Sequence, residues 1–280
     1  MQLTIETFPF ILKFGEERAY ELIKEAGFTG IDFSYNATGK GLAINLDNYQ
    51  EKAKKSLEML KKLGLSCRQA HGPFEMQYTD EFSLENFNYK NVVNSILHAG
   101  IMGIERIVIH SLRCPDNVDF FEVNQRYYRS LIPYAKQANV KIAVENLVKG
   151  KLFTPEKLVE FTKGLNSDVF CVCVDVGHCA IVNIPPEEFI QVLPKGLMQC
   201  IHLHDTDLSV DKHWMPYHGE QNWEKIMKAL VDYGFDGEIN LEVIRPIITL
   251  PDELVFPALK YTAEIGKYLI KLFENYKKEV

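Results

Sequence analysis

The chain has 280 residues, of which 46% are hydrophobic and 11% aromatic, enough apolar material for one large α/β domain or two ordinary ones. Its formal net charge of −7 excludes a global attraction to nucleic-acid phosphates, although a local basic patch would suffice for binding. No stretch approaches the roughly 18 apolar residues of a membrane span, and MQLTIETFPF lacks signal-peptide features, so we expect a cytoplasmic protein without a membrane partner.

Short apolar segments alternate with longer helical patterns from one end of the chain to the other. Each short segment is rich in Val, Ile or other apolar residues and is too short for a typical helix, which predicts strands. The predicted strands lie near residues 2–6, 30–34, 66–70, 106–110, 141–145, 169–175, 199–204 and 238–243. Alternation within VFCVCVD indicates that Cys171 and Cys173 pack inside a strand rather than bind a soft metal.

Helices are predicted between the strands. The segment 49–63 places its apolar residues on one face and is stopped by Gly64. Thr154 followed by Pro155 is typical of a helix start. Eight strands, each followed by a helix, predict an α/β fold, a (β/α)8 TIM barrel that forms a single domain over residues 1–280. The alternative is a doubly wound open sheet, but no Gly-rich phosphate loop follows the first strand.

Ionisable residues fall at the carboxyl ends of the predicted strands, which in a barrel converge on one mouth. The strand-end residues are His71, His110, Glu145, Asp175, His202, His204 and Glu242, and His178 comes one turn after Asp175. Imidazoles and carboxylates together suit Zn²⁺ or Mn²⁺. The sequence therefore predicts a divalent metal site at the mouth of the barrel.

Each of these residues also has a structural interpretation. A lone histidine at a strand end is more often hydrogen-bonded structure than a ligand. Glu145 and Glu242 follow apolar strand residues, where an unpaired carboxylate would be costly, so a metal or a buried salt bridge is required. His202 and His204 are two residues apart and point to the same side of the strand. One can bind metal while the other contacts substrate or supports a ligand.

Motifs in a fixed order support this interpretation. They are HGPF at 71–74, VIH at 108–110, VEN at 144–146, VDVGH at 174–178, HLHD at 202–205 and LEV at 241–243. In these motifs, and over essentially its whole length, the chain resembles the xylose-isomerase-like TIM barrel superfamily, which includes sugar phosphate isomerases and epimerases, inosose dehydratase and endonuclease IV. Barrels of this superfamily often pair, so the resemblance also implies a homodimer.

The resemblance implies one or several metal ions. The sugar-directed members hold one divalent ion, and the matching residues here are Glu145, Asp175, His202 and Glu242, with His204 as the alternative to His202 because HLHD and HDTD offer competing registers. Endonuclease IV holds three zinc ions. Its additional positions match His71 and His110 at a second ion, and His178, Asp211 and His213 at a third. An exposed loop can also contain Asp-Lys-His by chance.

The chain departs from endonuclease IV in several places. The loop that joins HLHD to DKH looks shorter, and the residues after VDVGH do not match. The basic, aromatic loops expected for holding bent DNA are not evident. Nucleic acid is therefore an unlikely partner on sequence grounds, although the sequence does not exclude it.

Three functions are compatible with these residues. The first is a metal-dependent isomerase or epimerase of a sugar, keto-sugar or related polyol, with Glu145 and Glu242 as proton acceptor and donor and His178 or His204 holding a hydroxyl. The second is hydrolysis of abasic DNA or a small phosphate ester at a trinuclear zinc site. The third is a non-catalytic barrel that binds sugar or metal. Elemental analysis for one or three ions separates the first two.

Substrate identity depends on loops near 8–14, 36–45, 72–88 and 112–120. Arg113 is the only basic residue just after the fourth strand, and Trp214 directly follows DKH and can cover the site. Both are predicted to contact substrate. The aromatic candidates for the walls of the site are Phe8, Phe10, Phe74 and Trp214.

Overall fold

The computed structural model describes residues 1–36, 47–74 and 77–279. Its strands are β1 Leu3–Ile5, β2 Gly30–Ser34, β3 Ser66–His71, β4 Arg106–Ile109, β5 Lys141–Glu145, β6 Phe170–Asp175, β7 Met198–His202 and β8 Ile239–Leu241. Its helices are α1 Phe8–Phe14, α2 Glu16–Ala26, α3 Tyr49–Leu63, α4 Phe87–Met102, α5 Phe120–Ala138, α6 Pro155–Gly164, α7 Val176–Ile181, α8 Pro186–Gln191, α9 Trp223–Tyr233, α10 Arg245–Thr249 and α11 Asp252–Glu279.

The eight strands form a closed parallel ring. Strands β2 to β7 make one sheet in chain order, and β1 pairs with β8. Two parallel bridges join these parts, Glu6 with Asp32 and Leu203 with Leu241. The predicted TIM barrel is confirmed, and closure removes the free sheet edges that an open, doubly wound sheet would have.

The predicted strands are present, and the main differences are at their ends. Strand β7 ends at His202 instead of continuing to residue 204. Leu203 is held only by its single bridge to β8, and Asp205 then pairs antiparallel with Trp214. The chain therefore leaves the barrel and turns back on itself immediately after the strand. Similarly, β1 ends at Ile5, and Glu6 keeps one bridge.

The helix signals are confirmed where the sequence analysis named them. Helix α3 buries Ala53 and Leu60 and ends at Gly64, whose φ of 62° is left-handed. Helix α6 begins at Pro155, and the hydroxyl oxygen of Thr154 accepts a hydrogen bond from the Lys157 amide (3.4 Å). No helix in the described ranges is long and apolar enough to cross a bilayer.

The barrel interior contains an apolar cluster on strands β4 to β7 and a polar group on the other four strands. Val108, Ala143, Cys171, Cys173 and Cys200 form a fully buried cluster inside the ring, and all six cysteines of the chain are free thiols. The prediction that Cys171 and Cys173 pack within a strand is confirmed.

On strands β1, β2, β3 and β8, four buried polar side chains form what we call the polar layer: Thr4, Asp32, Gln69 and Asn240. Gln69 Nε2 and Asn240 Nδ2 donate to Asp32 Oδ2 at 2.8 and 2.7 Å. The Thr4 hydroxyl donates to Asn240 Oδ1 at 3.0 Å. The polar layer forms a rigid base for the side chains at the mouth.

Candidate metal centre

One imidazole nitrogen lies among three carboxylates at the mouth of the barrel. His202 Nδ1 is 3.0 Å from Glu145 Oε1 and 3.1 Å from Glu242 Oε2. Asp175 Oδ2 lies 3.9 Å from the same nitrogen. These side chains project from β5, β6, β7 and the residue that follows β8, and all four are buried. They are the residues predicted to hold the first ion, and the structure brings them together.

The two glutamates of this set, Glu145 and Glu242, are held in their charged form. Burial raises the pKa of Glu145, but His202 and His110 outweigh burial and keep this pKa well below its usual range. Burial acts in the same direction on Glu242, and there His202 and His213 outweigh it and lower the pKa. Both glutamates are therefore anionic at neutral pH, as metal ligands and proton acceptors must be.

The residues predicted for a second ion also converge. His110 Nε2 lies 2.7 Å from Glu145 Oε2, and His71 Nε2 lies 3.8 Å from the same oxygen. Glu145 thus turns one oxygen to His202 and the other to His110. A carboxylate in this arrangement can bridge two neighbouring ions.

The residues predicted for a third ion meet at the loop after β7. Asp211 Oδ2 lies 2.8 Å from His213 Nε2 and 3.3 Å from His178 Nε2. His213 has a φ of 47°, a left-handed conformation that is uncommon outside glycine, and strained residues of this kind cluster at functional sites. The Asp-Lys-His segment is therefore part of the mouth of the barrel, not an exposed loop that contains these residue types by chance.

Three imidazoles of the second and third sets share one orientation, in which Nδ1 lies at hydrogen-bond distance from a backbone carbonyl oxygen. The pairs are His71 with Gly72 at 3.0 Å, His178 with Asn146 at 3.0 Å, and His213 with Glu242 at 3.2 Å. An Nδ1–H that donates to a carbonyl leaves the Nε2 lone pair free. Metal-ligating histidines ordinarily donate a hydrogen bond from their other ring nitrogen in this way.

His204 lies between Asp175 and His213. Its Nε2 lies 2.9 and 3.0 Å from the two oxygens of Asp175, and its ring stacks on His213 with centroids 4.1 Å apart. A Cβ atom at Gly177 would lie 2.0 Å from His204 Cε1, so this position of the VDVGH motif requires glycine. His202, not His204, faces three carboxylates, and its assignment as the ligand stays a prediction.

Aromatic side chains line the mouth beside the second set. The Phe74 ring centroid lies 4.5 Å from that of His71 and 5.5 Å from that of His110. Phe8 packs edge-on to Phe74 at 6.4 Å, whereas Phe10 is fully buried in the core. Of the loops expected to shape substrate binding, residues 37–45 and 75–76 lie outside the described ranges.

The two remaining predicted substrate contacts lie farther out. Arg113 is exposed, and its carbonyl oxygen accepts the Tyr78 amide at 2.9 Å. Trp214 is half-buried, pairs with Asp205 through the backbone, and has the Lys212 ammonium 5.5 Å from its ring centroid. A role for Arg113 and Trp214 in substrate binding stays a prediction.

The sequence analysis missed a carboxylate at the end of β1. Glu6 is fully buried, and neither of its oxygens has a hydrogen-bond partner within the described residues. Burial raises the pKa of Glu6 to about 8, and the nearby charge of Glu242 adds to this effect. The signal was available, since Glu6 ends the segment QLTIE as Glu145 ends its own strand.

The donor set fits a divalent cation. The single Nδ1 proton of His202 can be donated to only one carboxylate; when Glu145 receives it, Glu242 Oε2 has no donor within the described residues. Asp211 Oδ1 is likewise buried and unpartnered there. Such atoms cost about 1–3 kcal/mol each, and more when charged. A cation among nitrogen and carboxylate donors would satisfy them, and Zn²⁺ and Mn²⁺ accept these donor types.

Protein stripped of metal is expected to lose stability as the pH rises. Burial lowers the pKa of His71, His178 and His204, but the carboxylates outweigh it and raise these pKa values to about 9, 10 and 9. The stabilisation from these raised pKa values is complete below about pH 6.5 and is lost as the pH rises through about 9 to 10. The depressed pKa values of Glu145 and Glu242 contribute stability that is lost at acid pH.

The measurement is the free energy of unfolding in denaturant from pH 5 to pH 10 with a chelator present. We expect the maximum between about pH 5 and 6.5. Excess Zn²⁺ should remove the alkaline decline, because a metal binds the deprotonated imidazole. A stability that rises steadily from pH 7 to pH 10 without metal would contradict the assigned charges.

The chain belongs to the xylose isomerase-like TIM barrel family, whose model matches residues 20–269. Among curated relatives, an uncharacterized protein of Methanocaldococcus jannaschii is 30% identical over 117 residues, a stretch that covers 40% of this chain and 40% of that protein. An uncharacterized protein of Sinorhizobium fredii is 23% identical over 258 residues, covering 81% of each chain.

Solved structures with the same fold include several sugar epimerases. A D-tagatose 3-epimerase-like protein has a TM-score of 0.79 and 18% identity, covering 98% of this chain and 99% of its own. D-psicose 3-epimerase from Clostridium cellulolyticum has a TM-score of 0.75 and 14% identity, covering 96% and 99%. The IOLI protein with a bound zinc atom has a TM-score of 0.73 and 16% identity, covering 99% of each chain.

Proposed function

We propose that this protein is a divalent-metal-dependent isomerase or epimerase that acts on a sugar, keto-sugar or related polyol. One observation carries the proposal: Glu145 and Glu242 approach the same His202 nitrogen within 3.0 and 3.1 Å, although its one proton can serve only one of them. A shared Mn²⁺ or Zn²⁺ ion would satisfy both carboxylates. The same fold in sugar epimerases, and in a protein with bound zinc, supports the proposal.

The chemistry would divide between the ion and the chain. A bound ion would polarise neighbouring carbonyl and hydroxyl oxygens of the substrate. Glu145 and Glu242 reach the mouth from β5 and from the residue after β8, so they can flank one substrate carbon. One anionic carboxylate takes the proton from that carbon, and the other draws a proton from solvent and delivers it to the carbon, after which the first releases its proton to solvent. His178 or His204 holds a hydroxyl, and Arg113 and Trp214 contact the substrate at the entrance.

The test is solvent isotope exchange. Protein loaded with Mn²⁺ is incubated in D2O with a panel of ketoses, aldoses and cyclic polyols, and the products are followed by NMR. We expect deuterium at a carbon next to a carbonyl, loss of exchange with a chelator, and recovery on adding Mn²⁺. If fully metal-loaded protein exchanges no substrate of a broad panel, the proposal fails.

A second function is favoured by the other two ligand sets. His71 and His110 share Glu145 with the first set, and His178, Asp211 and His213 form a set of their own. Three adjacent ions would suit phosphoester hydrolysis, in abasic DNA or in a small phosphate ester. A non-catalytic barrel would bind metal or sugar but would catalyse neither reaction.

Asp211→Asn should distinguish the two enzymes. The change removes a charge that lies within 3.3 Å of both His178 and His213. Elemental analysis should therefore show about one ion fewer per chain if three ions are bound, and an unchanged content if the His202 set holds the single ion. Under the isomerase proposal, isotope exchange stays within a few-fold of the unmodified protein. If neither protein exchanges deuterium, and Asp211→Asn cleaves phosphodiesters about a hundredfold or more slowly than the unmodified protein, the hydrolase is favoured.

A further inference from the structure

The two ring nitrogens of His202 have different surroundings. Nδ1 faces Glu145 and Glu242, while Nε2 lies on the opposite side of the ring, 3.6 Å from Asp32 Oδ2. Both side chains are fully buried. The 3.6 Å separation is just beyond hydrogen-bond distance, and neither His202 Nε2 nor Asp32 Oδ1 has a hydrogen-bond partner in the described ranges.

Three other imidazoles at the mouth have a backbone acceptor for one ring nitrogen, and Nε2 of His202 has none within the part of the chain that the structure describes. His71, His178 and His213 each have Nδ1 at hydrogen-bond distance from a backbone carbonyl oxygen. His202 lies within strand β7, and strand carbonyls in a closed barrel are engaged in the ladder with neighbouring strands. The acceptor for its second nitrogen must therefore come from a side chain.

Asp32 is positioned to supply that acceptor. Two amide groups of the polar layer, Gln69 Nε2 and Asn240 Nδ2, donate to Asp32 Oδ2 and fix the carboxylate under the His202 ring. Asp32 and His202 are within ion-pair distance of each other. A carboxylate buried this deeply is costly unless it is paired and hydrogen-bonded, so a layer that served packing alone would be better formed by a neutral side chain.

We propose that Asp32 is a positioning residue for His202: it accepts the Nε2–H, fixes that tautomer and directs the Nδ1 lone pair at the metal. A carboxylate in this position also makes the imidazole a stronger ligand. The inference rests on the proposed metal site, and it adds a residue from β2, a strand that carries none of the predicted ligands.

One neighbouring group competes for this role. The Cys173 thiol, from β6, also lies close to His202, as part of a group with Glu145. Burial raises the pKa of Cys173 well above its usual range, so the group is a neutral thiol. A thiol is a weak acceptor, whereas a carboxylate forms charge-assisted hydrogen bonds that are roughly twice as strong as neutral ones.

The experiment compares metal affinity in matched variants by competition with a coloured chelator, using Zn²⁺ and Co²⁺ as the probes. For Asp32→Leu, which has no acceptor, we expect affinity at the His202 set to fall about 10- to 100-fold. For Asp32→Asn, whose amide oxygen can still accept, we expect a smaller loss. One control is Glu238→Gln, which changes another buried carboxylate at the opposite end of the barrel. The second is Cys173→Ala. Both variants should bind metal as tightly as the unmodified protein does.

A spectroscopic signature separates positioning from a general structural role. The unmodified protein should show a protected, downfield imidazole N–H signal that Asp32→Asn shifts and Asp32→Leu abolishes, and the visible spectrum of bound Co²⁺ should change with it. If Asp32→Leu does not fold, Gln69→Leu, which removes one donor to the same carboxylate, should still weaken metal binding several-fold.

The outcomes separate this inference from the proposed function. If the unmodified protein binds metal tightly and both Asp32 variants bind equally well, Asp32 has no positioning role, while the proposed function stands. If Cys173→Ala reproduces the loss instead, the thiol is the acceptor and the inference is overturned. If the unmodified protein binds no metal at all, the inference and the proposed function both fail.

Discussion

Glu242→Gln is expected to lower the rate of isotope exchange by about 10²–10⁴-fold, the range for loss of a general acid or base. The amide cannot accept a proton from carbon, although its oxygen remains a weak ligand. Glu242 has one close imidazole at the site, His202 at 3.1 Å, with His213 at 3.7 Å. We therefore expect the variant to retain most of its metal.

The matched control lies near Glu242 in the chain. Glu238 is also a buried glutamate, but it lies just before β8, at the opposite end of the barrel. Glu238→Gln should leave both exchange and metal content unchanged. The measurement is exchange rate and bound metal on the same samples. If Glu242→Gln exchanges at the normal rate, Glu242 takes no part in the reaction. If the variant loses all metal, Glu242 acts mainly as a ligand.

Glu145→Gln is expected to abolish exchange and to empty two ligand sets at once. Its Oε1 faces His202 at 3.0 Å, and its Oε2 faces His110 at 2.7 Å. One substitution therefore removes an anionic ligand from both sides, and metal affinity at each set should fall by about 10- to 100-fold or more. Chelator competition and elemental analysis measure this, and any ion bound at the third set, with Asp211, should be retained.

The contrast between the two glutamates is itself a test. Both are buried, anionic and next to His202, but Glu145 turns its other oxygen to His110 at 2.7 Å, whereas the next imidazole of Glu242, that of His213, is 3.7 Å away. The variant of Glu145 should lose more metal than the variant of Glu242. Equal metal loss in the two variants would mean that Glu145 does not bridge two ions, and a mononuclear site would then account for the residues.

Much of the site was predictable because it follows from two simple patterns. Short apolar runs mark the strands, and Glu145, Asp175 and His202 each stand at the end of such a run. Strand ends converge in any barrel of parallel strands, so their meeting does not depend on packing details. Glu6 obeys the same rule and was missed only because its strand is short and near the start of the chain.

Asp32 could not have been found in this way. It lies in the middle of GIDFS, and an acidic residue in such a segment predicts a solvent-exposed position on a half-buried strand. Its burial depends on inward orientation, and the pairing of β2 with β3 shifts register between Gly30 and Asp32. A shift of one residue turns a strand side chain from one face to the other, and no local sequence pattern specifies it.

The sequence by itself determined the alternation of strands and helices and the set of polar residues at the strand ends, since both depend on local periodicity. Only the tertiary structure decided which nitrogen of His202 faces the carboxylates, that Glu145 turns an oxygen to each of two histidine groups, and that the Asp-Lys-His segment folds into the mouth. These features depend on distances between strands far apart in the chain, which closure of the barrel and its register set.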